Sequence, residues 1–251
     1  MAARARKLRV LCLHGYRTNA QVMENQMKGL VDALGDDAEF IYVNAPQLAR
    51  GPSEDVIERL HAKDAPFFEW WHVTPLACQD GSDWIWTLER VDEAMAYMDT
   101  KMAEIGPVDV VIGFSQGSML LTILSMRYLQ RRPPQMWWKL CICVCGMRVR
   151  GVNVRHLFET PDGQAKLVPI PSIHISGKAD PFADECDRLA DMYDSHPTAF
   201  PASPLTKMVL QHAGGHKFPS VKKYAAMYEE LARVIVNHCR SIDSSLQVSR
   251  L

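Results

Sequence analysis

Val110-Val111-Ile112-Gly113-Phe114-Ser115-Gln116-Gly117-Ser118 decides how this chain is read. An apolar, β-branched run stops at G-x-S-x-G and passes straight into a helical pattern that continues to about residue 131. Strand, tight turn and helix in that order are the setting of a nucleophile elbow. The flanking glycines lack a Cβ, so neighbouring backbone can pass close by, and the serine can occupy a strained turn with its Oγ presented at the end of a sheet. Ser115 is therefore the candidate nucleophile.

A hydroxyl is a weak nucleophile at neutral pH and needs a base, which in turn needs a group to orient it. Both stand downstream, each just past a strand-like run. Pro171 to Gly177 leads into Lys178-Ala179-Asp180-Pro181, and Lys207 to Gln211 leads into His212-Ala213-Gly214-Gly215-His216. The chain order Ser115, Asp180, His216 is that of α/β-hydrolases. An Asp before Pro also starts turns and caps helices, and residues 183–193 look helical. His212 competes for the role of base. Gly214-Gly215 favours His216, because two glycines free the loop to turn the next side chain back towards the sheet end.

The first strand, about 8–13, runs into His14-Gly15-Tyr16-Arg17-Thr18-Asn19 and then a helix. In α/β-hydrolases the loop after this strand gives one backbone N–H to the oxyanion, and the residue after the nucleophile gives the other. The oxyanion hole is thus assigned to the amides of Tyr16 and Gln116.

Strand patterns at about 8–13, 39–43, 108–112, 139–145, 171–175 and 206–210 alternate with helical patterns at about 19–34, 88–104, 116–131, 184–193 and 220–239. That alternation predicts an α/β fold: a three-layer α/β/α hydrolase architecture on a mainly parallel sheet of about six strands. At 251 residues and 47% hydrophobic content, the chain suits one domain over 1–251. Its core is expected at about 8–239 and a loose tail at 241–251. Gln47 to Thr87 is too long for a βα loop and carries Phe67, Phe68, Trp70, Trp71, Trp84 and Trp86. These aromatics either pack the insertion onto the scaffold or wall an acyl pocket, with Trp70 and Trp71 the candidate substrate-binding pair.

H-G-Y-x-x-N after the first strand, V-N-A-P at Val43 to Pro46, Trp70-Trp71, G-F-S-Q-G, G-x-x-D-P and G-G-H-x-x-P follow one another in order. The chain resembles the family of serine hydrolases (the FSH group, which includes the ovarian cancer-associated gene 2 esterases) from about Leu8 to Asn237. The resemblance implies a cytosolic carboxylic-ester hydrolase with a Ser-Asp-His triad at Ser115, Asp180 and His216. Apart from Trp70-Trp71, the region between Gln47 and Trp86 departs from the family pattern with extra charged and aromatic residues, so substrate identity is not carried over.

A net charge of −1 provides no field for nucleic acid or an anionic membrane surface. Arg4, Arg6, Lys7 and Arg9 read as a frayed, solvated arm, and no apolar run is long enough to span a bilayer. Seven cysteines, an odd number without a disulfide-like framework, point to reduced thiols and a cytoplasmic location. Cys141, Cys143 and Cys145 alternate and could share one strand face, but no histidine stands at ligand spacing. They read as small buried hydrophobes, and neither metal nor organic cofactor is expected. The expected reaction is hydrolysis of a small or lipid-like carboxylic ester through an acyl-enzyme. An acyl thioesterase is the nearest alternative, and a non-catalytic ligand-binding relative the more distant one.

Overall fold

The computed structural model describes residues 6–76, 82–200 and 203–248. In chain order the elements are β1 (Leu8–Leu13), α1 (Ala20–Gln26), α2 (Lys28–Leu34), β2 (Ala38–Val43), β3 (Gln47–Leu48), α3 (Asp55–His61), β4 (Phe68–Glu69), β5 (His72–Pro75) and β6 (Trp86–Glu89). There follow α4 (Val91–Ile105), β7 (Val110–Phe114), α5 (Gln116–Leu129), β8 (Leu140–Val144), α6 (Arg155–Phe158), β9 (Ser172–Gly177), α7 (Ala183–Asp191), β10 (Lys207–His212) and α8 (Val221–Val248). Six strands form one sheet in the order β10-β9-β8-β7-β1-β2, and every neighbouring pair is parallel. The sheet and its flanking helices make an α/β-hydrolase fold.

Parallel strands linked by helices are buried on both faces, which is why β7 and β8 read as unbroken apolar runs. Alternate side chains supply two separate cores. Leu11, Leu13, Val111, Cys141 and Cys143 face α4, α5 and the insertion, whereas Val10, Cys12, Val110, Ile112 and Ile142 face the side of α2 and α8. Cys145 departs from this alternation. It lies just beyond β8 at φ 48° and packs in the second core, so the three thiols do not share one face. The six described cysteines are buried and free.

Chain direction across the sheet reverses between β1 and β7, because β2 lies on one side of β1 and every later strand of the sheet on the other. Open α/β sheets bind ligands at such a switch point, beyond the carboxyl ends of the strands. His14, Ser115, Asp180 and His216 all sit just past those ends.

Several expectations are corrected. The helix expected over 19–34 is two, broken at Met27, with Asn19 capping the first by accepting the Val22 amide at 2.9 Å. The insertion is folded around α3 and two small antiparallel pairs, β3–β4 and β5–β6. Nor is the tail from 241 loose: α8 continues to Val248, Ile242 is buried, and Asp243 pairs with Arg6 and Lys139. Residues 249–251 lie outside the described residues. Arg6 is no frayed arm either, because it also holds both carboxylate oxygens of buried Asp109, at 2.7 and 2.6 Å. Arg4 lies outside the described residues.

Candidate active site

The turn at Ser115 is built from backbone crowding. The residue sits at φ 51°, ψ −115°, a region costing a non-glycine residue about 1–3 kcal/mol. A Cβ on Gly113 would lie 2.4 Å from the Gly117 carbonyl, and one on Gly117 would lie 2.2 Å from the Leu13 oxygen. The two motif glycines are therefore close-approach positions. Ser118 locks the turn from below: its Oγ donates to the Gly113 carbonyl (2.7 Å) and accepts the Val144 amide (3.1 Å).

Asp180 and His216 reach the same point from adjacent loops. The loop after β9 donates two amides to the end of β10 and the loop that follows it, Lys178 to the His212 carbonyl (2.7 Å) and Ala179 to the Gly214 carbonyl (3.0 Å). A Cβ on Gly177 would strike the Gly214 oxygen at 2.2 Å. Neither Gly214 nor Gly215 has a left-handed φ, so turn freedom does not account for them; a Cβ on Gly214 would lie 2.8 Å from His212 Nδ1, and one on Gly215 3.4 Å from the Ala179 oxygen.

The structure brings the three candidate side chains into one relay. His216 Nδ1 is 2.8 Å from Asp180 Oδ2, and its Nε2 is 2.9 Å from Ser115 Oγ. A carboxylate only accepts, so Nδ1 carries the proton and Nε2 is left to accept from the serine hydroxyl. Asp180 serves the turn as well, because its other oxygen, Oδ1, accepts the Phe182 amide at 2.8 Å. His212 is held apart from the relay: it is buried, and its Nδ1 accepts the Gly214 amide at 3.0 Å.

His14 has a structural task. Its Nδ1–H donates to the Gly15 carbonyl (2.8 Å) and its Nε2 accepts the Ala45 amide (2.9 Å), tying the end of β1 to the segment after β2. Complete burial holds its pKa down at about 4, so the ring is neutral. The amide of Gln116, first in α5, has no intrahelical acceptor, as expected of a helix start. Gly15 passes so close to the Phe114 ring that a Cβ would lie 2.8 Å from it, which brings the loop carrying Tyr16 against the elbow.

Trp70 and Trp71 are not where an acyl wall would need them. Both have no exposed surface and belong to the core. Trp70 stacks on His14 with centroids 5.2 Å apart and donates its indole N–H to the His14 carbonyl (2.9 Å). In this conformation they are scaffold, because a side chain without accessible surface cannot touch a ligand. Trp84 lines a cleft of about 230 Å³ with Phe158 and Met192, but none of Ser115, Asp180 and His216 lines it. The apolar rings beside the relay come from elsewhere. Phe182, 43% exposed, meets the His216 ring edge-on at 5.5 Å, and Phe114 lies 5.3 Å from both His216 and Phe218. The sequence reading does not single these out, although each stands within two residues of a relay member. The Gln116 side chain is also unforeseen: it accepts the Trp70 amide (2.9 Å) and donates to the Trp71 carbonyl (2.8 Å).

A parallel sheet with this strand order, and a serine, a histidine and an aspartate meeting at its carboxyl edge, define an α/β-hydrolase of the serine type. Residues 1–228 match the family described as Serine hydrolase (FSH1), and the chain belongs to that family. It is similar to Esterase OVCA2 of Danio rerio, 24% identical over 234 residues covering 90% of this chain and 96% of that one. It is also similar to Esterase OVCA2 of Xenopus tropicalis, 27% identical over 237 residues covering 91% and 94%. Among solved structures, esterase PE8 superposes with a TM-score of 0.54 at 18% identity, covering 90% of this chain and 93% of its own. A carboxylesterase from Mesorhizobium loti superposes at 0.55 and 14% identity, covering 92% and 90%. No helix among the described residues is long and apolar enough to cross a membrane.

Proposed function

We propose that this protein is a carboxylic-ester hydrolase, working as one α/β-hydrolase domain through an acyl-enzyme on Ser115. The observation that carries the reading is the unbroken relay from Asp180 Oδ2 through His216 to Ser115 Oγ, at 2.8 and 2.9 Å. Ser115 Oγ attacks the ester carbonyl while His216 Nε2 takes its proton. The amides of Tyr16 and Gln116 receive the negative charge on the carbonyl oxygen, and donors of this kind contribute about 3–4 kcal/mol each because the charge appears only in the transition state. His216 then protonates the departing alkoxide. A water, deprotonated by the same nitrogen, attacks the acyl-serine and releases the acid. Asp180 keeps the proton on Nδ1 and stabilises the imidazolium. Relatives named as esterases support an ester as substrate. Buried free cysteines suit a reducing compartment such as the cytoplasm.

The test is labelling by a fluorophosphonate, with the adduct located by mass spectrometry, beside turnover of p-nitrophenyl esters and acyl thioesters graded by chain length. The expected result is an adduct on Ser115 and faster turnover of esters. Label on Ser118, or full activity in Ser115→Ala, would overturn the assignment; preference for thioesters would replace the substrate class.

A further inference from the structure

Beside the elbow lies a second group of polar side chains that acyl transfer does not use. Gln116 places it, because its two hydrogen bonds to Trp70 and Trp71 fix the insertion's backbone to the residue after Ser115. Glu69 and His72 flank that tryptophan pair in sequence. The loop after β1 is joined to the same segment by the Phe68 amide, which donates to the Thr18 carbonyl at 2.7 Å. There the Tyr16 hydroxyl lies 3.4 Å from His72 Nδ1, and His72 Nδ1 lies 3.8 Å from Glu69 Oε1.

Glu69 is the informative member. Its side chain has no exposed surface, and its Oε2 accepts from Arg17 Nε at 3.2 Å. Its Oε1 accepts no hydrogen bond among the described residues: His72 Nδ1 stands at 3.8 Å and Arg50 Nε at 4.0 Å. Leaving a buried acceptor unsatisfied costs about 1–3 kcal/mol, more for a charged group, and a native protein that keeps such an atom calls for a reason. Charge in the group is balanced, with Arg17 offsetting Glu69 and Arg50 pairing with Glu89 at 2.6 Å. Tyr16 and the His72 side chain are each about one-third exposed, at 36% and 31%. Burial and the Glu69 charge push the Tyr16 phenol up, so it keeps its proton at neutral pH. Phenol and imidazole can each donate or accept, and their surroundings carry no excess charge. An uncharged group that both donates and accepts answers these properties, and on an ester substrate that group is most simply a hydroxyl.

We propose that Tyr16 and His72, backed by Glu69, form a subsite beside Ser115 for a hydroxyl of the substrate, so that hydroxylated esters are preferred over plain alkyl esters. The proposal rests on the esterase reading. Two matched pairs test it by kcat/KM: propyl butyrate against 2,3-dihydroxypropyl butyrate, and methyl butyrate against methyl 3-hydroxybutyrate. One pair is expected to favour the hydroxylated ester by at least ~10-fold, and which pair does so assigns the hydroxyl to the alcohol or the acyl side. Tyr16→Phe and His72→Leu, checked for unchanged melting temperature, should each bring that ratio to within about threefold of one, the weight of a single modest hydrogen bond. Ratios near one in both pairs for the wild type would overturn the subsite. Turnover of the plain esters and a label on Ser115 would then leave the esterase reading standing. A preference that survives both substitutions would also overturn it, as would labelled enzyme that turns over none of the four esters. Absence of both label and turnover would overturn the esterase reading and the subsite together.

Discussion

The elbow and the insertion meet at Gln116, the residue after Ser115, but are held in place by different means. At the elbow, backbone presses on backbone: Gly113 on Gly117, Gly117 on Leu13, Gly177 on Gly214. The insertion is held by side chains reaching main chain, Gln116 to the Trp70-Trp71 pair and the Trp70 indole to His14, and by burial of two indoles, beside backbone bonds such as that from the Phe68 amide to the Thr18 carbonyl. Backbone crowding leaves nothing adjustable, which suits chemistry that fails on a displacement of about 1 Å. Side-chain anchoring can be altered one residue at a time. Substitutions on the two sides should therefore damage different quantities.

The largest effects belong to the relay. Ser115→Ala and His216→Ala should each lower kcat by at least ~10³, and Asp180→Asn by about 10⁴ through the wrong imidazole tautomer, with melting temperatures little changed. His212→Ala should cost far less in kcat. Equal losses at His212 and His216 in steady-state kinetics would transfer the role of base.

On the insertion side the damage should fall on stability. Trp71→Ala empties a fully buried site and should lower unfolding free energy by about 3–5 kcal/mol in urea titrations. Per folded molecule, acetyl and longer acyl esters should lose rate equally. A flattened chain-length profile at unchanged stability would restore Trp71 to the substrate wall.

Acidification should next lower stability through two buried histidines, one after β1 and one on β9. His14 is held at about 4 and His174 at about 3, both by burial, against about 6.5 in the unfolded chain. Below 6.5 the unfolded state binds the extra protons, so stability falls as pH drops from 6.5 through those folded values. Each ring should remove about 2 kcal/mol between pH 7 and pH 5. Urea midpoints that hold constant from pH 7 to pH 5 would contradict the neutral, buried assignment.

The smallest effect is expected from Gln116→Ala, which keeps the backbone amide but releases the Trp70-Trp71 segment. A loss of about 1–3 kcal/mol should appear, with faster proteolytic cutting confined to the insertion. Cutting spread evenly over the chain would mean that the side chain does not anchor it.

How much could be read beforehand follows the same division. All six strands of the sheet lie within two residues of their predicted positions, because both-face burial writes itself as continuous apolar runs. G-x-S-x-G and the order of the three polar residues were legible because local backbone demands specific residue types. The family resemblance and the α/β-hydrolase fold are borne out by the match over residues 1–228 and by the solved esterases. The insertion was not legible. Its strands are two to four residues long, too short for alternation to register, and an indole at the surface of a motif reads the same as an indole in a core. Contacts such as Gln116 to Trp70, 46 residues apart, leave no periodic trace. The break at Met27 was hidden by apolar residues that continue through it.

Arg6, Asp109, Lys139 and Asp243 close a loop of alternating charge that joins the first described residue to the end of α8. Burial alone would raise the Asp109 carboxyl, but hydrogen bonds from Arg6, Lys139 and the Arg9 amide outweigh it and hold it at about 2. Chain ends normally fray independently, each exchanging amide protons at its own rate. Here a break at either end removes a cation or an anion that the other end also uses. The segments around Arg6 and Asp243 should therefore open together, and Arg6→Ala should speed amide exchange in the part of α8 around Asp243.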